Sequence, residues 1–351
     1  MVDNVEPELR DDAAAWWRRL RQRPATATLM AICVLAYTAT VAAAIASSSE
    51  PMQTALQSLW SLNGSEAVLV KLGGLDLTRV WIEQEWWRVL STGLLHGSLV
   101  HLVLNLIALG SIGDWVEHIW GAWRTLIMFI LSSIGGCLAS LLWCEASMVV
   151  GASAGVLGQA GALLIVRRFG APELQAKLEP VSGLSLALLI LLCLFLGTVI
   201  PGIAQAGHLG GLCTGSALGW QLMRPRPLLK WVAIHLVLIS ALLVAARLGS
   251  APTWRPQYHG MLGFRAVMEG DLATAEHHLG QDPENAVILN AIAYKLAEDG
   301  VELSLAESYV LRALSIDPIN ANYLDTLGWI WCREGKPTAG ESFLRAAMFL
   351  A

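Results

Sequence analysis

Long uncharged apolar runs alternate with short polar loops through the first 250 residues, after which charges recur every few positions. An apolar run of about 20 residues spans a bilayer as a helix, so each run predicts a span. Residues 24–49 form the first, 89–113 the second, 125–144 the third and 146–166 the fourth. The run 181–223 is too long for one helix, and Pro201-Gly202 divides it into a fifth and a sixth. Residues 231–246 form a shorter seventh, which Lys230 and Arg247 extend by snorkelling. The expected fold class is all-α: a polytopic transmembrane helix bundle of six core spans plus one, followed by a soluble α-helical repeat domain. The corresponding segments are a basic N-terminal segment (1–24), a six-span core (25–225), a seventh helix with linker (226–252) and helical repeats (253–351). Residues 42–49 resemble a signal-peptide cleavage site. The run before them is longer than a typical signal peptide's apolar region and more spans follow, so an uncleaved first helix is expected.

Composition sharpens this picture. With 55% hydrophobic and 15% charged residues the chain falls in the membrane class, and its net charge of -5 argues against a nucleic-acid partner. The six cysteines form no CxxC pair or disulfide framework. The basic leader, Arg124, the Arg167/Arg168/Lys177 loop and the Arg224/Arg226/Lys230 loop fall on one side. The positive-inside rule puts that side, with the N-terminus, in the cytoplasm. Spans two, four and six then run from outside to inside, and seven spans leave the charged tail extracytoplasmic.

Against this apolar background a few uncharged polar residues stand out, because intramembrane polar groups are costly and read as functional. His101 and Asn105, four apart, share one helical face in the outer half of span two. Ser153 lies in the first turns of span four and His208 about two turns into span six. All occupy the outer leaflet at similar depth. A hydroxyl becomes a nucleophile when a base takes its proton, which His208 would do for Ser153. No acid is expected inside the neighbouring spans, since Asp114 and Glu145 fall at loop edges, so a Ser–His dyad is the arrangement in view. His96, near the membrane surface, has two readings: part of the site, or an interfacial residue. Gly211, Gly215 and Gly219 recur on one face of span six, and Gly151, Gly155, Gly158 and Gly161 occur along span four. Small faces of this kind let helix backbones approach closely.

These residues resemble a known family, the rhomboid intramembrane serine proteases. Trp87-Arg88 is similar to the family's WR pair after the first span. His96-Gly-Ser-Leu-Val-His101-Leu-Val-Leu-Asn105 matches its H-x4-H-x3-N pattern. Gly151-Ala-Ser153 with Gly158 matches its G-x-S segment, and His208-Leu-Gly-Gly211-Leu-Cys-Thr-Gly215 its H-x2-G-x3-G segment. The resemblance covers roughly residues 25–225. It implies Ser153 as nucleophile, His208 as general base, and His101 with Asn105 as oxyanion donors. Trp87, Arg88, His96, Gly151, Gly158, Gly211 and Gly215 have supporting places. It also implies a serine endopeptidase that cuts membrane-protein substrates in or next to transmembrane helices, in a lipid bilayer, with no metal, nucleotide or organic cofactor. A bacterial inner membrane is expected by analogy with the six-plus-one arrangement. Three positions depart from the family: Ala154 follows the serine where Gly is common, Gly207 precedes the histidine where Ala is common, and Leu157 stands where an aromatic residue stacks on the base. The rival reading is a catalytically inactive rhomboid-like scaffold.

The tail carries an internal repeat. Asp282-Pro-Glu-Asn285 recurs as Asp317-Pro-Ile-Asn320, 35 residues on, with Ala293 matched to Gly328 and Gly300 to Gly335. A weaker first unit surrounds Gly263, Gly270 and Ala275. The period and the 323–337 segment resemble tetratricopeptide repeats, which implies a concave face that binds protein partners.

Overall fold

The structure is a computed structural model that describes residues 22–58, 66–143, 148–199, 204–223 and 228–350. Residues 1–21 of the basic leader, Glu145, Pro201-Gly202 and the Arg224/Arg226 pair lie outside the described residues. The chain divides into two compact units, Met1–Ser250 and Ala251–Ala351.

Among the described residues, seven helices of 17–23 residues build the first unit: α1 Pro24–Ala46, α2 Leu99–Trp120, α3 Ala122–Trp143, α4 Ser153–Phe169, α5 Gly183–Val199, α6 Gln205–Leu222 and α7 Leu228–Ser250. Among the described residues α1, α2 and α3 are long and apolar enough to cross a membrane, and α5 and residues 239–250 are shorter apolar helices. α4 and α6 are rich in small residues, and α4 is mostly buried. A helix enclosed by other helices does not need the lipid-facing apolar surface that hydropathy measures.

Several boundaries differ from the sequence expectation. The run 89–113 is not one helix: a short helix Arg88–Ser91 and a 3₁₀ turn Thr92–Leu94 precede α2. Gly93 and Gly97 favour the break, and Ser98 caps α2 by accepting from the His101 N–H at 3.1 Å. Span four starts later than expected, because residues 148–149 form strand β2 (Met148–Val149), leaving Ser153 as the first residue of α4. β2 pairs antiparallel with β1 (Leu75–Asp76), Leu75 opposite Val149 and Asp76 opposite Met148. His208 is the fourth residue of α6, one turn in rather than two.

α2 runs on to Trp120, so Asp114 lies within a helix and not at a loop edge, and Glu117 is a buried acid in the same helix. Both lie near the end of α2 away from His101. Glu117 accepts from the Ala25 and Thr26 N–H groups at 3.0 and 2.8 Å and from the Thr26 hydroxyl at 2.8 Å. Its carboxylate thus serves the orphan donors at the start of α1, where the helix dipole favours negative charge. Arg23 bridges Asp114 at 3.2 Å and contacts His118 beside it. At the opposite end of the bundle, α7 finishes against α3: Gly249 packs on Leu141, and its carbonyl accepts from the Trp81 indole at 2.8 Å.

The second unit is three helical hairpins: α8 Pro256–Met268 with α9 Leu272–Gln281, α10 Ala286–Asp299 with α11 Leu303–Ile316, and α12 Ala321–Arg333 with α13 Pro337–Leu350. The sequence repeat has a local cause. Asn285 and Asn320 each accept a first-turn N–H of the following helix, and each donates to its own Asp, Asp282 at 2.8 Å and Asp317 at 2.9 Å. The inter-helix turns share a device too: Gly270, Gly300 and Gly335 hold φ of 70–80°, a region that favours glycine.

In the first hairpin, His259 Nδ1 lies 3.0 Å from His278 Nδ1, and His259 Nε2 lies 2.8 Å from the Thr253 carbonyl. A carbonyl only accepts, so His259 carries its proton on Nε2 and its Nδ1 accepts from His278. Burial, then the neighbouring His259 and His277 rings, hold His278 below the ordinary histidine value. The fold therefore favours the neutral ring, and stability is full above about pH 6.5 and lost as pH falls below it. Hydrogen exchange across α8 and α9 in the full chain, corrected for intrinsic rates, should accelerate between about pH 7 and pH 5. The change should be flatter in His278→Asn, and a pH-independent wild type would contradict this assignment.

Candidate active site

Three helices bring the site together because glycine lets them. α6 packs along both α4 and α3. A methyl group on Gly211 would collide with the Ala154 carbonyl, and one on Gly215 with the Gly158 backbone. Gly158 is pressed in turn against Ser132 and the Gly211 carbonyl. The first turns of α4 and α6 therefore meet backbone to backbone. At that meeting point His208 Nε2 lies 2.8 Å from Ser153 Oγ, across 55 residues of sequence. The other ring nitrogen of His208 is enclosed and makes no hydrogen bond of normal geometry, although the Cys193 main chain of α5 approaches it. Leu157, one turn after the serine, is buried.

His101 and Asn105 lie on α2 as their spacing requires. The Gly97 N–H approaches His101 Nδ1 at 3.4 Å, so that nitrogen accepts and Nε2 carries the proton. The Nε2 edge lies over Gly151: an added Cβ there would stand 2.7 Å from Cε1 and 2.9 Å from Nε2. Gly151 also holds φ +119, so both space and backbone require glycine two residues before Ser153. Asn105 is buried and donates one amide hydrogen to the His101 carbonyl at 2.9 Å. As the first residue of α4, Ser153 carries one of the main-chain N–H groups that a helix start leaves without an intrahelical acceptor.

His96 is fully buried and stacks edge-on against His101 with centroids 5.2 Å apart, while its Nδ1 lies 3.2 Å from the Leu94 carbonyl. His96 is thus packed inside the protein, where the chain break before α2 turns it inward. Arg88 is buried, pairs with Glu85, and donates to the Gly74 carbonyl at 2.9 Å and to the Val70 carbonyl. Its guanidinium lies 4.8 Å over the half-exposed Trp87 ring. The pair thus anchors the segment before β1 and stands apart from the reacting groups.

One positioning residue was missed. Thr92 bonds the β2 side through the Val149 carbonyl, receives the Leu75 N–H on its hydroxyl at 3.2 Å, and offers its own carbonyl to the Gly151 N–H at 3.1 Å. It ties β1 and the approach to Ser153 into one piece. A lone threonine in an apolar run gave no periodic signal.

A serine and a histidine are thus joined by a hydrogen bond inside a bundle of apolar helices. Residues 83–225 match the Rhomboid domain. The match begins after α1, so α1 and the tail lie outside it. The chain is 35% identical over 171 residues to RHOMBOID-like protein 4 of Arabidopsis thaliana, covering 49% of this chain and 42% of that protein. It is 34% identical to RHOMBOID-like protein 6, mitochondrial, of the same plant, over 47% of this chain and 53% of that protein. It is 31% identical to Rhomboid protease GluP of Bacillus subtilis (strain 168), over 45% of this chain and 30% of that protein. The chain thus spans about half, or less, of the length of these relatives. Together with the apolar helices, the match makes this an integral membrane protein with a Rhomboid domain.

The helix contact carries a testable consequence. Gly211→Ala should cost about 1–3 kcal/mol by overpacking and reduce reaction at Ser153, as read by thermal unfolding and substrate cleavage in detergent. Cys213→Ala, at an exposed position two residues on, should leave both unchanged. Equal behaviour of the two variants would mean that the close approach is dispensable.

Proposed function

We propose that the protein is an intramembrane serine endopeptidase acting through a Ser153–His208 dyad. The 2.8 Å contact between Ser153 Oγ and His208 Nε2 is the observation that carries this reading. His208 Nε2 takes the hydroxyl proton as Ser153 attacks the scissile carbonyl, then delivers it to the leaving amine. The resulting acyl-enzyme is released by water. The oxyanion is stabilised by the His101 Nε2–H, the free amide hydrogen of Asn105 and a main-chain N–H at the start of α4. Among the described residues His208 has no acidic partner, which fits a dyad in which the half-buried ring is held by packing.

Substrates on this reading are single transmembrane helices with small or helix-destabilising residues near the scissile bond, which unwind to reach the half-buried Ser153. The lipid bilayer surrounds the unit, and the N-terminus is cytoplasmic in a bacterial inner membrane. Seven crossings put residues 251–351 on the side of Ser153. The end of α7 beside Trp81 and Leu141, at the β1–β2 end of the bundle, supports that placement. The three hairpins, with the Asp–Asn cap repeated at the second and third, support a tetratricopeptide-like array that binds a protein partner.

A second reading, a silent member that binds membrane proteins without cutting them, draws on Leu157 in place of a stacking aromatic ring and on the unpartnered Nδ1 of His208. Co-expression with a panel of tagged single-span proteins separates the two. The protease reading expects new fragments that fall by about 10³-fold or more in Ser153→Ala and His208→Ala, with both variants still folded. Fragments that persist in Ser153→Ala would remove the dyad assignment.

A further inference from the structure

The three hairpins of the second unit repeat a feature that their caps and turns do not need. Gly263, Ala293 and Gly328 occupy equivalent positions on α8, α10 and α12, and each is buried at a helix contact: Gly263 against Ile288 and His278, Gly328 against the Gly340 carbonyl. The next residue in each helix, turned about 100° away, is aromatic and solvent-exposed. These are Phe264, Tyr294 and Trp329, 43%, 46% and 40% exposed. α10 packs against both α8 and α12, so the rings form a ladder of three on adjacent helices. Exposed aromatic residues at one repeated position mark an interaction surface rather than scattered surface apolarity.

The surroundings select the partner. Residues 251–351 carry 13 Asp and Glu against 7 Lys and Arg. Four of those cations, Arg265, Lys295, Lys336 and Arg345, are already in ion pairs within the unit. One turn before Trp329 stands the exposed Asp325, without an ion-pair partner among the described residues; Glu298, one turn after Tyr294, is already paired with Lys295 at 3.0 Å. A guanidinium already rests on one rung, Arg333 lying 5.8 Å over the Trp329 ring. At the centre, Asn290 is half-buried one turn before Tyr294, and its Oδ1 has no donor. A rotation of that side chain presents an acceptor to a main-chain N–H.

We propose that this face binds an extended polypeptide segment in which Lys or Arg alternates with apolar side chains. Cationic side chains lie over the rings and beside Asp325, apolar ones fill between rungs, and Asn290 holds the main chain. Neighbouring helices lie about 8–10 Å apart, so three rungs match roughly six residues of extended chain at about 3.3 Å each. The inference rests on the reading that the array binds a protein partner, and adds which face and which chemistry.

The test uses the full chain in nanodiscs of zwitterionic lipid, with empty nanodiscs as control, and fluorescence anisotropy of a labelled 12-residue peptide alternating Lys and Val. The counterpart peptide has Glu in place of Lys. The Lys peptide should bind at least tenfold more tightly than the Glu peptide. Phe264→Ala/Tyr294→Ala/Trp329→Ala should weaken it tenfold or more, and Asp325→Lys should weaken the Lys peptide selectively. Unchanged thermal unfolding of the variants confirms that these exposed positions are not needed for folding. Equal binding by the triple variant, or equal binding of both peptides, or no binding of either by wild type, would overturn the proposal. Partner crosslinking that survives the triple substitution but not deletion of 251–351 would keep partner binding and reject this face.

Discussion

The membrane unit depends on how closely α6 can approach α4. Two helices with ordinary side chains pack about 8–10 Å apart, with side chains filling the space between them. Gly211 and Gly215, set against the Ala154 and Gly158 backbones, remove that spacing. Because association within lipid draws on van der Waals packing rather than a hydrophobic drive, the contact that positions the two residues also holds these helices together. Structure and chemistry therefore share one set of glycines.

Around that contact the site is fixed from several directions. α2 supplies His101, whose Nε2 edge rests on Gly151, and His96 supports His101 from within a break in the chain. Thr92 links the same break to the β1–β2 pair and to Gly151. At the far end Glu117 holds the start of α1 by three hydrogen bonds, which fixes α1 beside α2. A polar group buried in lipid is costly unless paired, and Glu117 and Arg88 are paired with main-chain atoms, so their polarity locks loops and helix ends in place.

Much of this was legible in the chain because it is periodic. The i, i+4 spacing of His101 and Asn105, the four-residue glycine stripe of α6 and the 35-residue recurrence of Asp-Pro-x-Asn each report a helix face or a cap. What escaped is local or non-periodic. Two-residue strands are too short to alternate, so β1 and β2 left no mark and span four was started early. The break at 92–98 lies inside an uncharged run, which hydropathy alone joins to α2, so the inward turn of His96 left no mark of its own. Asp114 was set at a loop edge because the uncharged run ends before it, whereas α2 continues to Trp120 and carries Glu117 against the start of α1. The aromatic ladder of the tail was hidden because its three rungs differ in identity and the first two are 30 rather than 35 residues apart.

The central claim is that Ser153 is activated by His208. Purified protein in detergent would be treated with a fluorophosphonate, and the modified residue located by peptide mapping in wild type, His208→Ala and Thr92→Val. The account predicts one adduct, on Ser153, lost in His208→Ala and reduced in Thr92→Val while all three remain folded. An adduct on another serine, or full labelling of Ser153 without His208, would contradict it.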